Sequence, residues 1–141
     1  MPVNVTSKGR YALRMMVDLA QREAEGFVPL KDIAGRQDIS LKYLEAIACD
    51  LKKASLLESG RGKDGGYRLR RRPEDYSVGE ILRCSEESLA PVACLRDGEG
   101  CEKKDVCPTL AMWKELDGIT SRYLGEVTLA DLLSGKRWEN K

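Results

Sequence analysis

Three of the chain's five cysteines fall close together, as Cys94, Cys101 and Cys107 in "CLRDGEGCEKKDVC". The spacing is Cys-x6-Cys-x5-Cys, and the chain of 141 residues holds no histidine. Structural zinc sites show paired Cys-x2-Cys hooks and four closing ligands, and neither occurs here. Iron–sulfur clusters accept more widely spaced thiolates, and a cluster with one non-thiolate ligand is chemically accessible. Gly98 and Gly100 let the loop wrap a compact cofactor, while Arg96, Lys103 and Lys104 offset the thiolate charge. Asp97, Glu99, Glu102 and Asp105 are local oxygen donors; Cys49 and Cys84 lie farther off, where core positions are expected for them.

An odd cysteine count argues against a closed disulfide framework. The N-terminal "MPVNVTSKGRYALRMM" has no uninterrupted apolar run, so neither a signal peptide nor a membrane span is expected, and a reducing cytoplasm is. With 42% hydrophobic and 33% charged residues, the composition is that of an ordinary soluble domain. The net charge of +1 hides a division. Through Arg72, 15 Lys and Arg stand against 9 Asp and Glu; from Pro73 onward, 9 stand against 14. A basic half facing a polyanion and an acidic half with another task would give this asymmetry. No histidine base, phosphate-cradling loop of Walker type or carboxylate constellation supports catalysis, so no enzyme is expected.

Around the cysteines the chain reads as mainly helical. Thr6 or Ser7 can cap a helix to about Glu23, with Ala12, Met15, Met16, Leu19 and Ala20 at helical spacing. A short helix from about Leu30 to Arg36 follows, then the turn "QDIS", then a helix capped by Ser40 and reaching about Ala54. Helix, tight turn, helix is the outline of a helix-turn-helix. Directly after it, "LLESGRGKDGGYRLRRR" reads as two short strands about a Gly-rich basic loop, which is a wing. Asp64-Gly65-Gly66 supplies the turn; Arg61, Lys63, Arg68, Arg70, Arg71 and Arg72 crowd the loop and its second strand. Ser77 and Glu80 form a capping box for a helix to about Cys84. Beyond the cysteines a long helix is predicted over Leu110 to Glu126, with Leu110, Trp113, Leu116, Thr120, Tyr123 and Leu124 along one side. A helix this long with an apolar face to spare suits pairing with its copy. Thr128 and Asp131 begin a last short helix, and "SGKRWENK" reads as a loose tail.

Reading a major groove takes a helix with polar groups at its N-terminal end and cations beside it for the phosphates. Ser40, Tyr43 and Glu45 on the third helix fit that need, as do Thr6, Ser7, Lys8 and Arg10 at the start of the first and Arg61 on the wing. Glu45 is the odd member, because a carboxylate beside DNA must accept from cytosine N4 or from a cation.

"TSKGRYAL", "ISLKYLE", "RGKDGGYRL", "SVGEIL" and the three-cysteine loop, in this order, closely resemble the IscR-type transcription regulators, a winged-helix family that includes IscR, NsrR and CymR. The resemblance spans roughly Val5 to Leu133. It implies a homodimer that binds double-stranded operator DNA and senses iron–sulfur status, controlling iron–sulfur biogenesis genes. In such proteins the third helix reads the operator, the wing grips the minor groove and the long helix dimerises. Ser40, Tyr43, Glu45 and Arg61 match the family's DNA contacts; Cys94, Cys101 and Cys107 match its cluster cysteines, for a 2Fe-2S rather than a 4Fe-4S centre. The organisation implied is a DNA-binding domain over 1–76, a cysteine loop and dimerisation helix over 77–133, and a tail over 134–141. Two departures stand out. Leu110 occupies the place of the IscR histidine, and Arg10 that of the NsrR aspartate, so the fourth ligand is an oxygen donor or another thiol. The residue after Glu45, usually glutamine in the nearest relatives, is Ala46. A winged-helix regulator using its cysteines for zinc or as a thiol redox switch is the alternative.

Overall fold

Residues 7 to 20 repeat apolar side chains every three or four positions, and they form α1 (Ser7–Gln21), which buries Ala12, Met15, Met16, Leu19 and Ala20. The computed structural model describes residues 5–62, 65–85 and 107–139. Helix α1 ends two residues short of the expected Glu23, where the chain tightens into a 3-10 turn over Glu23–Glu25. Helix α2 (Leu30–Gln37) follows, closed by Asp38 in the left-handed region at φ 54°. Asp tolerates that conformation better than most residues. The Ile39 amide then returns to the Ala34 carbonyl at 3.1 Å, and Ile39 is buried. Helix α3 (Leu41–Lys53) starts where Ser40 Oγ accepts from the Tyr43 amide at 3.2 Å. Its inner stripe is Leu44, Ile47, Ala48 and Leu51.

The wing is an antiparallel pair, β1 (Leu57–Gly60) and β2 (Gly66–Leu69), in the register Leu57↔Leu69 through Gly60↔Gly66. Val28, between α1 and α2, adds a bridge on the open side of β2, exchanging both backbone bonds with Tyr67 at 2.9 Å. Gly66 permits that approach: a Cβ there would lie 2.2 Å from the Val28 carbonyl oxygen. Positive φ occurs at Gly62 and Gly66. The expected turn residue Asp64 lies outside the described residues, as does Lys63.

Helix α4 (Val78–Ser85) carries the expected capping box, with Ser77 and Glu80 exchanging bonds at 3.1 Å. It packs chiefly on α1. Helix α5 (Leu110–Glu126) and helix α6 (Leu129–Ser134) close the fold, and a Thr128–Asp131 capping box starts α6. Backbone bonds Val78 N–Val127 O (2.8 Å) and Leu129 N–Tyr76 O (3.0 Å) stitch the α5–α6 junction to the start of α4. One core runs through α1, α2, α3, α4, the wing base and α6. A satellite of Val78, Leu82 and Val127 gathers Leu124 and Trp138.

The tail is not loose through Glu139. Lys136–Trp138 forms a 3-10 turn, Trp138 Nε1 donates to the Tyr123 hydroxyl at 3.2 Å, and Arg137 lies 3.8 Å from both Glu126 and Asp131. An indole half-buried against the Val78–Leu82–Val127 cluster holds this segment by apolar contact, which charge counting does not reveal.

Candidate nucleic-acid interface

Ser7, Tyr11, Asp38, Ile39, Ser40 and Tyr43 line an open depression of about 340 Å³ between the start of α1 and the turn into α3. The expected contacts Ser7, Ser40 and Tyr43 therefore share one surface, although Ser7 and Ser40 are far apart in the chain. Tyr43 is exposed and meets the Tyr11 ring edge-on, with centroids 5.7 Å apart. Glu45 is exposed a half-turn farther along α3. It lies close enough to Tyr67 on the wing that burial first, then Cys49 and Glu45, push that phenol above its ordinary range. Arg61 is exposed at the end of β1 and makes no ion pair among the described residues.

Thr6 holds the N-cap of α1, and its carbonyl accepts from the Arg10 amide at 3.2 Å. Arg10 Nη2 donates to Ser7 Oγ at 2.9 Å and is exposed. Lys8 behaves differently. Its ammonium lies 2.7 Å from Asp50 Oδ2 on α3, and that hydrogen bond outweighs burial to hold the group above the usual lysine range. Lys8 ties α1 to α3 while remaining partly open to a phosphate.

Two residues that the sequence reading passed over complete the surface. Tyr11 falls four positions after Ser7, and Arg14 three after that, so the three share a helical face. Arg14 stacks 5.5 Å from the Tyr11 centroid and donates to the side chain and carbonyl of Gln37. Gln37 in turn donates to Asp18, a carboxylate with 1% exposure that also takes Arg36 at 2.7 and 3.0 Å. Burial alone would raise the Asp18 carboxyl, but the bonds from Arg36 and Gln37 and the charges of Arg36 and Arg22 hold it below its ordinary value. The position of α2, and so of the turn into α3, is anchored on that buried charge.

Two of the wing cations are already paired with carboxylates of the same chain. Arg68 pairs with Glu58 and covers the Phe27 ring at 4.3 Å. Arg71 pairs with Glu80.

Of the cysteines, Cys94 and Cys101 lie outside the described residues, and Cys107 sits half-buried just ahead of α5, with Sγ 3.2 Å from Thr109 Oγ1. Cys49 is exposed rather than in the core. It follows Glu45 by four positions and precedes Lys52 by three, so it falls on the solvent side of α3. Cys84 is half-buried and donates to the Asp50 carbonyl at 3.2 Å; burial, then the Asp50 charge, push its thiol up. Among the described residues no three acidic or thiol groups converge on a metal position. Three thiols and no imidazole are soft donors of the kind that iron–sulfur clusters, and also zinc, accept. Leu110 supplies no donor atom.

The chain matches the family model described as Rrf2, iron-dependent transcriptional regulator, over residues 5–135. This chain belongs to the Rrf2 family. The HTH-type transcriptional regulator IscR of Aliivibrio salmonicida is 41% identical over 131 residues, 93% of this chain and 77% of its own. That of Serratia proteamaculans is 40% identical, over 95% of this chain and 81% of its own. The solved structure of T. potens IscR superposes with a TM-score of 0.76 at 39% identity, covering 94% of this chain and 88% of that one. CymR, the global cysteine regulator of B. subtilis, gives a TM-score of 0.76 at 34% identity, covering 93% of this chain and 96% of that one. The Rrf2 chain is thus a winged-helix, DNA-binding transcription regulator, and its relatives are regulators rather than enzymes. No described helix is long and apolar enough to cross a membrane.

Proposed function

We propose that this Rrf2 protein is a cytoplasmic homodimer that binds double-stranded operator DNA and senses iron–sulfur status through a cluster on Cys94, Cys101 and Cys107, controlling iron–sulfur biogenesis genes. The observation that carries the reading is the cysteine set itself: three thiolates and no histidine between α4 and α5, with Cys107 at the foot of α5. The match to IscR proteins supports it. A cluster supplies a group whose presence depends on iron and oxidant, and a 2Fe-2S centre fits the IscR likeness. The chain's own residues do the rest. Ser40, Tyr43 and Glu45 face the major groove, Thr6, Ser7, Lys8 and Arg10 the backbone, and Arg61 the minor groove.

Dimerisation falls to α5. No residue of this 17-residue helix is buried, and Met112, Ile119 and Tyr123 are 52%, 48% and 45% exposed. With half-buried Leu116 they recur at spacings of four, three and four, the seam of two helices packed side by side. The sequence stripe included Leu116 and Tyr123 but missed Met112 and Ile119. Trp113 and Leu124 of that stripe are half-buried, Leu124 against the chain's own satellite core.

The test is anaerobic purification with iron and sulfide analysis and visible absorbance, on wild type and the five single cysteine variants. Cys94→Ala, Cys101→Ala and Cys107→Ala should each lose a stoichiometric cluster, and Cys49→Ala and Cys84→Ala should keep it. Leu110→His should slow loss of absorbance in air, since an imidazole replaces a hard, readily displaced donor. Colourless, iron-free protein with intact operator binding would instead favour zinc or a thiol redox switch.

A further inference from the structure

Beneath the wing lies Tyr76, fully buried. Its hydroxyl donates to the Leu56 carbonyl at 2.6 Å and accepts from the Arg70 and Arg71 amides at 2.9 and 3.1 Å. A phenol has one hydrogen to give and two lone pairs to fill, so the group is saturated. Leu56 immediately precedes β1, and Arg70 and Arg71 immediately follow β2. One oxygen atom therefore joins both feet of the hairpin.

Arg71 continues the joint. Its guanidinium lies 4.4 Å from the Tyr76 ring centroid, meets Glu80 at 2.7 and 3.2 Å and donates to the Asp75 carbonyl at 2.8 Å. Glu80 also accepts the Ser77 amide at 3.1 Å as the capping residue of α4. Burial alone would raise the Glu80 carboxyl, yet the bonds from Arg71 and Ser77 hold it below its ordinary range, so the clamp stays charged near neutrality. Arg71 looks by sequence like one more wing cation for DNA, but it is turned inward to α4.

We propose that Tyr76, Arg71 and Glu80 are positioning residues for DNA binding: by bolting both feet of the hairpin to the N-terminus of α4, they set the angle at which the wing carries Arg61 to the duplex. Leverage makes the angle matter. Four strand residues at about 3.3 Å each put the tip about 13 Å from the feet. A tilt of about 10° at the feet would then shift the tip by about 2 Å, enough to lose a hydrogen bond with its narrow distance range.

This inference rests on the reading that Arg61 contacts DNA, and the experiment separates the two. Operator affinity would be measured on the full-length protein at several salt concentrations for wild type, Glu80→Gln, Arg61→Ala and the double variant. Arg71→Lys would be added, because it keeps the charge and loses the bidentate fork. Circular dichroism and sedimentation would show that each variant is folded and associates as wild type does. Glu80→Gln and Arg71→Lys should each weaken binding about five- to tenfold, with a shallower salt dependence, of the size lost with one contact. In the Arg61→Ala background Glu80→Gln should cost less than about twofold, since a misplaced wing has nothing left to lose. Equal losses in both backgrounds, or no loss in either clamp variant, would overturn the positioning role and leave the wing contact standing. No effect of Arg61→Ala would overturn the wing contact and the inference with it.

Discussion

Helices α3 and α5 are both amphipathic, yet they are held in opposite ways. The 13-residue α3 buries Leu44, Ile47, Ala48 and Leu51 to 0% exposure within its own chain. The 17-residue α5 buries nothing to that degree. Each fully buried Leu or Ile contributes about 1.5–3 kcal/mol, so the core of one chain suffices to orient α3, the helix proposed to face DNA. Lys8–Asp50 at one end and the Ser40 cap at the other add direction rather than bulk. Helix α5 touches α4 and the satellite core along one edge and leaves an apolar seam on another. Helix α3 is fixed from within its own chain; helix α5 keeps an apolar seam for the second surface proposed above.

The largest effect is expected from breaking that seam. Ile119→Glu should weaken self-association roughly a hundredfold or more, because two-fold pairing sets the new carboxylate in the buried contact of both copies. Sedimentation equilibrium would measure it, while far-UV circular dichroism should keep its helical signal. A protein that stays dimeric would move the interface elsewhere. Next is Asp18→Asn, which attacks the locked half and should cost about 2–3 kcal/mol near pH 7, discounted because Arg36 is partly open to water. The sign with pH follows from a carboxyl held below its unfolded value of 3.8: its contribution is complete above that pH and is lost as pH falls through the lower folded value. Denaturant titrations across pH should show the wild-type acid limb flattened in Asp18→Asn, with the association constant of folded protein unchanged. Stability that falls equally with acid in both proteins would show that Asp18 is not the anchor.

Smaller changes would sharpen the reading of the DNA face. Arg61→Ala should lower the salt slope of operator binding by about 1 if it meets a phosphate, or cost about 1–3 kcal/mol and relax one position if it meets a base. Glu45→Ala should change affinity for the best operator least of all. It should broaden the set of sequences bound, because a carboxylate repels base edges that offer only acceptors. Selection of bound sequences from a random pool would detect this, and identical preferences would remove Glu45 from the reading surface.

Much of this was legible in residue order. Spacing marked α1, α3 and α5, and Ser40, Ser77–Glu80 and Thr128–Asp131 announced helix starts, because a cap is a local hydrogen bond between residues two or three apart. Cys49 was legible as an exposed thiol in the phase of the Leu44–Leu51 stripe, which puts it off the buried face; the burial preference of cysteine as a residue type pointed the wrong way. Trp138 looked like part of a tail because its partners, Tyr123 and the Val78–Leu82–Val127 cluster, come from other elements.

The sequence by itself determined the element order, the wing after the helix-turn-helix, the thiol-rich donor set and the lack of any imidazole, since these depend on composition and near-neighbour periodicity. Tertiary structure alone decided which charges are committed and which are offered. Lys8, Arg68 and Arg71 read alike with Arg10 and Arg61 along the chain. Asp50, Glu58 and Glu80, brought in from nine to forty-two residues away, engage the first three. Among the described residues Arg61 and Arg10 make no ion pair, and the Arg10 guanidinium donates to Ser7 Oγ. Coulomb attraction acts over a few ångströms in space and takes no account of separation along the chain.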